Sequence, residues 1–273
     1  MSLSSHHLRW LTSLALLPLL GVLIYLGEWY LFGGIVLFST LGQYEFYSLL
    51  WPERERRGWK WAGVSGGAAL LLFARLWPAQ SPATLLLIAF WAANLGFLVQ
   101  YSRRPLQTRY ADCLILLAGL FYLPLMLQSF FVFTPAETVL VLIATFASDT
   151  GAYYAGTWFG RRKIWPSISP KKTWAGSAGG LVLCATCCLV LGVLVDGWPW
   201  RATGWWMWPL LGLLLNCAAQ AGDFFESALK RSLEAKDSGS FLPGHGGVLD
   251  RIDSLLLVVP VYAVWRTIFA ISP

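Results

Sequence analysis

Hydrophobic residues fall in nine long blocks along this chain, at residues 10–26, 29–50, 60–77, 83–101, 112–133, 138–158, 176–195, 205–222 and 252–270, with short polar connections between them. Each block approaches the roughly 20 apolar residues that a helix needs to cross a bilayer. The blocks are continuous rather than alternating, so they predict helices and not the strands of a barrel. The expected fold is all-α: a polytopic integral membrane protein with nine transmembrane helices. The first block is long for a secretory leader and lacks a small-x-small cleavage site followed by soluble sequence, so it is expected to remain as a span. No repeat, low-complexity tract or long linker divides the chain. A single membrane-embedded domain over residues 1–273 is expected, with N-terminal spans in 1–135 and the chemistry in 136–273.

Composition agrees: 57% hydrophobic residues, 12% charged residues and 16 Trp are far from the averages of a soluble protein. The 20 Lys and Arg residues set an orientation, because cations concentrate in cytoplasmic loops. With the N-terminus cytoplasmic and the C-terminus outside, 17 of the 20 lie on inner segments, and only Arg75, Arg201 and Arg266 fall at or near outer ends. The expected location is the cell inner membrane, with the polar connections facing the cytoplasm. The net charge of +6 follows from this bias and favours anionic headgroups; no basic domain stands outside the membrane for nucleic acid. Cys113, Cys184, Cys187, Cys188 and Cys217 all lie inside predicted spans. There they read as small apolar fillers. Small-residue helix faces are compatible with homodimerisation.

Two inner connections carry candidate chemistry. Asp149 follows Glu137 by twelve residues, about 18 Å along a helix, and so lies in the inner half of the bilayer. An ionisable group at that depth is a functional candidate, and a helix–helix hydrogen bond is its plainer use. After it come Gly160-Arg-Arg-Lys163 and Pro166-Ser-Ile-Ser169-Pro-Lys171-Lys172-Thr173, where two prolines forbid a continuous helix. Hydroxyls and ammonium groups together make phosphate ligands, which singles out Ser169, Lys171, Lys172 and Thr173.

The second connection is a polar island over residues 223–254, holding ten of the 34 charged residues in 32 positions. A helix continuing from the eighth block to about Lys236 places Asp223, Glu226, Ser227, Lys230 and Arg231 on neighbouring turns. Gly239 and Pro243-Gly-His245-Gly246-Gly247 break it, and glycine permits close approach of backbone to a ligand. Asp250 and Asp253 follow, three residues apart on one helix face. Carboxylates on two helices joined by such a loop can converge on a hard cation, Mg²⁺ above all. The spacing of His245 to other histidines is wrong for zinc.

Ser227-Ala-Leu-Lys230-Arg231, Lys236-Asp237-Ser238-Gly239, Pro243-Gly-His245-Gly-Gly247 and Asp250-Arg251-Ile-Asp253-Ser254 closely resemble the signature of the phosphatidate cytidylyltransferase (CDP-diacylglycerol synthase) family. Ser148-Asp149-Thr-Gly-Ala-Tyr-Tyr-Ala-Gly156 and Ile168-Ser-Pro-Lys171-Lys172-Thr173 look like a second family element, whereas the first 135 residues are similar only in being hydrophobic spans. Relatives commonly carry Glu where this chain has Ala175. The resemblance implies that CTP and phosphatidic acid from the inner leaflet are joined to give CDP-diacylglycerol and pyrophosphate. Asp223 and Asp250 would then hold the principal Mg²⁺, with Asp149, Glu226 or Asp253 supporting a second cation or its waters. Lys230, Arg231 and Lys236 would neutralise the triphosphate, the turn around His245, Gly246 and Gly247 would offer backbone amides to phosphate, and Lys171 and Lys172 would meet the lipid headgroup. Ser227, Asp237 and Arg251 complete the substrate-facing set, and Asp253 and His245 join the catalytic one. A transporter would show repeated halves and midplane acids, and a CDP-alcohol phosphotransferase an Asp-Gly-x-x-Ala-Arg element; neither is present.

Overall fold

The computed structural model describes residues 18–52, 56–78, 82–194, 204–242 and 246–270. Among them are nine helices: α1 (18–26), α2 (Glu28–Leu50), α3 (Arg57–Leu76), α4 (Pro82–Arg103), α5 (Tyr110–Leu120), α6 (Pro135–Phe159), α7 (Trp174–Leu194), α8 (Met207–Ser232) and α9 (Leu249–Ala270). The described residues contain no strand beyond the isolated bridges Lys163–Thr173 and Leu242–Gly246.

Local chemistry sets the ends of these helices. Gly27, with φ of 60°, separates α1 from α2. Pro124 lies in a π turn over Phe121–Leu125, followed by a 3₁₀ turn over Gln128–Val132, so the fifth apolar block is a helix interrupted where proline supplies no N–H. Helix α6 opens on a capping box. Thr134 Oγ1 accepts the Glu137 N–H at 3.2 Å, and Glu137 Oε2 accepts the Thr134 N–H at 2.7 Å. Helix α8 runs ten residues past its apolar block and ends at Ser232, short of the expected Lys236; Glu234, at φ 54°, turns the chain away.

Four segments are long and apolar enough to cross a membrane by length and composition: Ala83–Arg103, Tyr110–Val132, Trp174–Leu194 and Leu249–Phe269. Helices α2, α6 and α8 are as long, but each buries polar side chains, among them Gln43 and Glu45, Glu137 and Ser148, and Asn216 and Glu226. Outward, the helices present large apolar residues such as Trp91, Leu95 and Leu98 on α4 and Val182, Val193 and Leu194 on α7. A strongly apolar exterior, with polar side chains kept among the buried residues, is the arrangement of a protein whose solvent is lipid. The chain is an integral membrane protein.

Its helices form two compact units, one of residues up to Phe131 with Ala235–Asp250, the other of Val132–Glu234 with the residues from Arg251 onward. In the first unit the fully buried Tyr47 donates its hydroxyl to the Leu116 carbonyl at 2.8 Å. Asp112, which is 2% exposed, accepts from Trp51 Nε1 at 2.9 Å and pairs with Arg56 at 2.9 Å, tying the start of α5 to the α2–α3 connection. Arg75 pairs with Glu28.

The second unit is built by close helix approach. A Cβ on Gly151 would stand 2.5 Å from the Gly179 carbonyl oxygen, so α6 and α7 meet backbone to backbone there. Gly222 does the same for α8 and α9, where a Cβ would lie 2.5 Å from the Asp253 carbonyl oxygen. Away from these contacts, Glu137 is fully buried and accepts from Arg266 Nε at 2.8 Å and from the Tyr262 hydroxyl at 3.1 Å.

Candidate active site

In the second unit, a ladder of neutral polar groups fixes α6, α7 and α8. Ser148 Oγ donates to Asn216 Oδ1 at 2.8 Å, Gln220 Nε2 donates to the same oxygen at 3.1 Å, and Ser177 Oγ donates to Gln220 Oε1. The helix–helix hydrogen bond is therefore made by Ser148, and its neighbour Asp149 is exposed. One turn beyond Gln220 on α8 comes Asp223.

Asp223 Oδ2 lies 2.6 Å from Lys172 Nζ, and Ser227 Oγ donates to Asp223 Oδ1 at 3.3 Å. Lys172 reaches it from the α6–α7 loop, whose ends are pinned by the Trp174 N–H on the Arg162 carbonyl (3.1 Å) and the Ile164 N–H on the Lys172 carbonyl (3.2 Å). The Lys172 ammonium also lies 4.0 Å from the Phe224 ring centroid, and Trp165 packs edge-on against the same ring. Asp253, on the first turns of α9, accepts the Ser254 N–H at 2.7 Å. Asp149, Asp223 and Asp253 interact electrostatically; Lys172 opposes Asp149 and Asp253, and Arg251 opposes Asp149. Three acids thus converge from α6, α8 and α9.

Other expected residues are occupied differently. Glu226, 1% exposed, pairs with Lys230 at 2.6 Å one turn along α8, so the acid expected near a cation and the base expected on the triphosphate hold each other. Thr173 is buried and caps α7, its Oγ1 accepting the Gly176 N–H at 3.1 Å. Lys171 is exposed and Ser169 half-buried, its N–H bonded to the Trp165 carbonyl at 2.9 Å. Arg231, Lys236 and Asp237 are exposed.

In the first unit, Asp250 Oδ2 accepts two backbone N–H groups, from Ser238 at 3.0 Å and Gly247 at 2.8 Å. The Gly247 amide, expected to meet phosphate, is spent on this carboxylate. Gly246 has φ of 81°, and a Cβ there would stand 2.9 Å from Asp250 Oδ2, so only glycine fits against the acid. His245 lies outside the described residues. The sequence reading passed over Glu45, 2% exposed on α2, whose Oε2 accepts the Leu249 N–H at 2.8 Å and the Ser238 hydroxyl at 3.2 Å. Its signal was present: an ionisable residue inside an apolar block.

Among the described residues, no group of three His, Cys, Asp or Glu side chains stands ready around a metal. The donors themselves suit a hard cation, since Asp149, Asp223 and Asp253 offer carboxylate oxygens.

A helical membrane protein that gathers acids from three helices against a loop lysine has the equipment for handling phosphate groups at a bilayer. The Cytidylyltransferase family model matches residues 7–269, and the chain belongs to that family. It is 35% identical over 253 residues to the phosphatidate cytidylyltransferase of Brucella melitensis, covering 87% of this chain and 86% of that protein. The phosphatidate cytidylyltransferase of Bacillus subtilis is 45% identical over 118 residues, 43% of this chain and 42% of that protein. That of Staphylococcus saprophyticus is 40% identical over 123 residues, 45% and 46% of the two chains. The likeness to the Brucella protein extends beyond the C-terminal half into residues 1–135.

Proposed function

We propose that this protein transfers the cytidylyl group of CTP to phosphatidic acid, forming CDP-diacylglycerol and releasing pyrophosphate for phospholipid synthesis. An oxygen of the lipid phosphate attacks the α-phosphorus of CTP, and the bond from that phosphorus to the bridging oxygen of the β-phosphate breaks. The lipid phosphate is already ionised, so no general base is required. The observation that carries the reading is the Lys172–Asp223 pair beside Asp149 and Asp253, a partner-exchanging cluster in which an arriving phosphate can take the ammonium and an arriving cation the carboxylate. Asp223 and Asp250 are the principal Mg²⁺ ligands in this reading, with Asp149 and Asp253 supporting a second cation or its waters. Bound there, Mg²⁺ would offset charge building on the α-phosphate and the leaving pyrophosphate. Lys172 meets the lipid phosphate, the exposed Lys171 its approach path, and Arg231 and Lys236 the triphosphate.

In the same reading nine helices span the inner membrane, with the N-terminus and the acid cluster on the cytoplasmic side and the C-terminus outside. Two of the three cations that break the positive-inside pattern support it, because each has an acid of its own: Arg75 has Glu28 and Arg266 has Glu137. Arg201 lies outside the described residues.

Asp223→Asn and Asp250→Asn in purified protein test the assignment through CTP-dependent CDP-diacylglycerol formation across a Mg²⁺ series. Both should lose most turnover and need more Mg²⁺. Near-normal turnover in both overturns the metal assignment, and pyrophosphate release that does not depend on phosphatidic acid overturns the reaction.

A further inference from the structure

We propose that Glu45 is a positioning residue for Asp250, acting through Ser238 and the backbone at Leu249; the inference rests on the reading of Asp250 as a metal ligand. Glu45 is almost wholly buried, and a carboxylate is costly to bury unless its bonds accomplish something. Both groups that bond its Oε2 belong to the segment ending in Asp250. Leu249 gives its N–H and Ser238 its hydroxyl. Oε1 accepts no hydrogen bond among the described residues.

Ser238 is the relay. It is 5% exposed and contacts Asp250 twice, its N–H donating to Oδ2 at 3.0 Å and its Oγ accepting the Asp250 N–H at 3.3 Å, while its hydroxyl hydrogen is directed to Glu45. Glu45 therefore decides which way that hydroxyl points, and so leaves the Ser238 lone pairs for Asp250. The loop is shaped to this acid. A Cβ on Gly239 would come within 2.2 Å of Glu45 Oε1, and one on Gly247 within 2.5 Å of Oε2. Two glycines thus close around one carboxylate, and the amide of the second holds Asp250 Oδ2 from its other side. An acid on α2, about 200 residues away in sequence, sets the angle at which the ligand is presented.

The full-length protein in lipid–detergent micelles tests this with Glu45→Ala, Glu45→Gln, Ser238→Ala and Asp250→Asn. Three readouts are needed: kcat, the Mg²⁺ concentration giving half-maximal rate, and the rise in Tm that Mg²⁺ alone produces. Glu45→Ala should raise the Mg²⁺ requirement and lower kcat by about 10–100-fold, the range for residues that orient a ligand from behind. It should also shrink the Mg²⁺-induced rise in Tm while leaving KM for phosphatidic acid within about threefold. Glu45→Gln keeps an acceptor for both donors and should restore most of the Mg²⁺ response. If Glu45→Ala does not fold, Ser238→Ala carries the test with the same shift in smaller degree. An unchanged Mg²⁺ requirement and Mg²⁺-induced Tm shift in Glu45→Ala, or in Ser238→Ala where that variant stands in, overturn the inference. Asp250→Asn tells the failures apart: if it too is normal, the metal reading has failed, and if it alone is impaired, only the role of Glu45 has.

Discussion

Replacing Lys172 by Ala separates the work of one ammonium from that of its loop. In the free protein Lys172 holds Asp223 at 2.6 Å and lies over Phe224, with 23% of its side chain and 33% of the acid's exposed. An exposed pair contributes about 0.2–1 kcal/mol and a cation–π contact about 0.5–1 kcal/mol, so the resting loop should lose about 1–2 kcal/mol of docking energy. The larger effect belongs to the reaction, where a charge-assisted hydrogen bond to the lipid phosphate is worth about 1.5–3 kcal/mol. At about 1.4 kcal/mol per factor of ten, kcat/KM for phosphatidic acid should fall by about 10–150-fold. Lys171→Ala, on the exposed neighbour, should change it by less than about threefold, and Lys172→Arg should keep part of the rate. The assay is CDP-diacylglycerol formation in mixed micelles, with CTP and phosphatidic acid varied separately. Because an ammonium and a metal compete for the same carboxylate, the Mg²⁺ requirement of Lys172→Ala should stay level or fall, opposite to Asp223→Asn. A normal kcat/KM for phosphatidic acid, or an Mg²⁺ requirement raised as far as in Asp223→Asn, would refute the partner-exchange reasoning.

Two further substitutions probe the frame. Glu137→Leu strands the Arg266 guanidinium, removes the acceptor of the Tyr262 hydroxyl and breaks the α6 capping box, so it should cost about 3–5 kcal/mol of stability, read as a fall in the detergent denaturation midpoint with activity retained below it. Gly151→Val places a Cβ 2.5 Å from the Gly179 carbonyl oxygen and 2.9 Å from Gly180 Cα. Prying α6 from α7 should cost about 1–3 kcal/mol and lower kcat by displacing Asp149, and a variant equal to the parent in both would show that this contact does not set the acid's place.

The apolar blocks foretold the helices because a span needs length and hydropathy and little else, so among the described residues each block is largely helical, the fifth with a π turn and a 3₁₀ turn. Their ends were less legible. Helix α8 outruns its block because past Gln220 its stripe is amphipathic, and α5 gives way to a π turn holding Pro124, a break that the run of apolar residues does not mark. Of the candidate site, residue type and motif order singled out Asp149, Lys172, Asp223 and Asp253, and the structure brings these four together in the second unit. Thr173 and Gly247 also serve a cap and a loop, which residue type alone does not reveal, because hydroxyls and glycine amides find local partners as well as phosphates. Glu45 escaped because its meaning lies in partners 193 and 204 residues away, a separation no spacing rule reaches.

The division of labour in the second unit has a consequence for how its charges can move. Ser148, Asn216, Gln220 and Ser177 bond one another across α6, α7 and α8 without any net charge, and they do so next to Asp149 and one turn before Asp223. The frame under the acids is thus held by uncharged groups that bond one another. Asp223, by contrast, is held by a lysine on a loop and a serine on its own helix, and Asp253 by the adjoining Ser254 amide. In the proposed reading a cation would displace Lys172 from Asp223 without loosening a helix–helix hydrogen bond, and the released ammonium would stay on a loop pinned at both ends by backbone bonds. Had the acids themselves bridged the helices, each binding event would have opened the bundle. The neutral ladder separates the geometry of the cluster from its charge, so in the proposed reading the carboxylates would pass from lysine to metal while the helices keep their places.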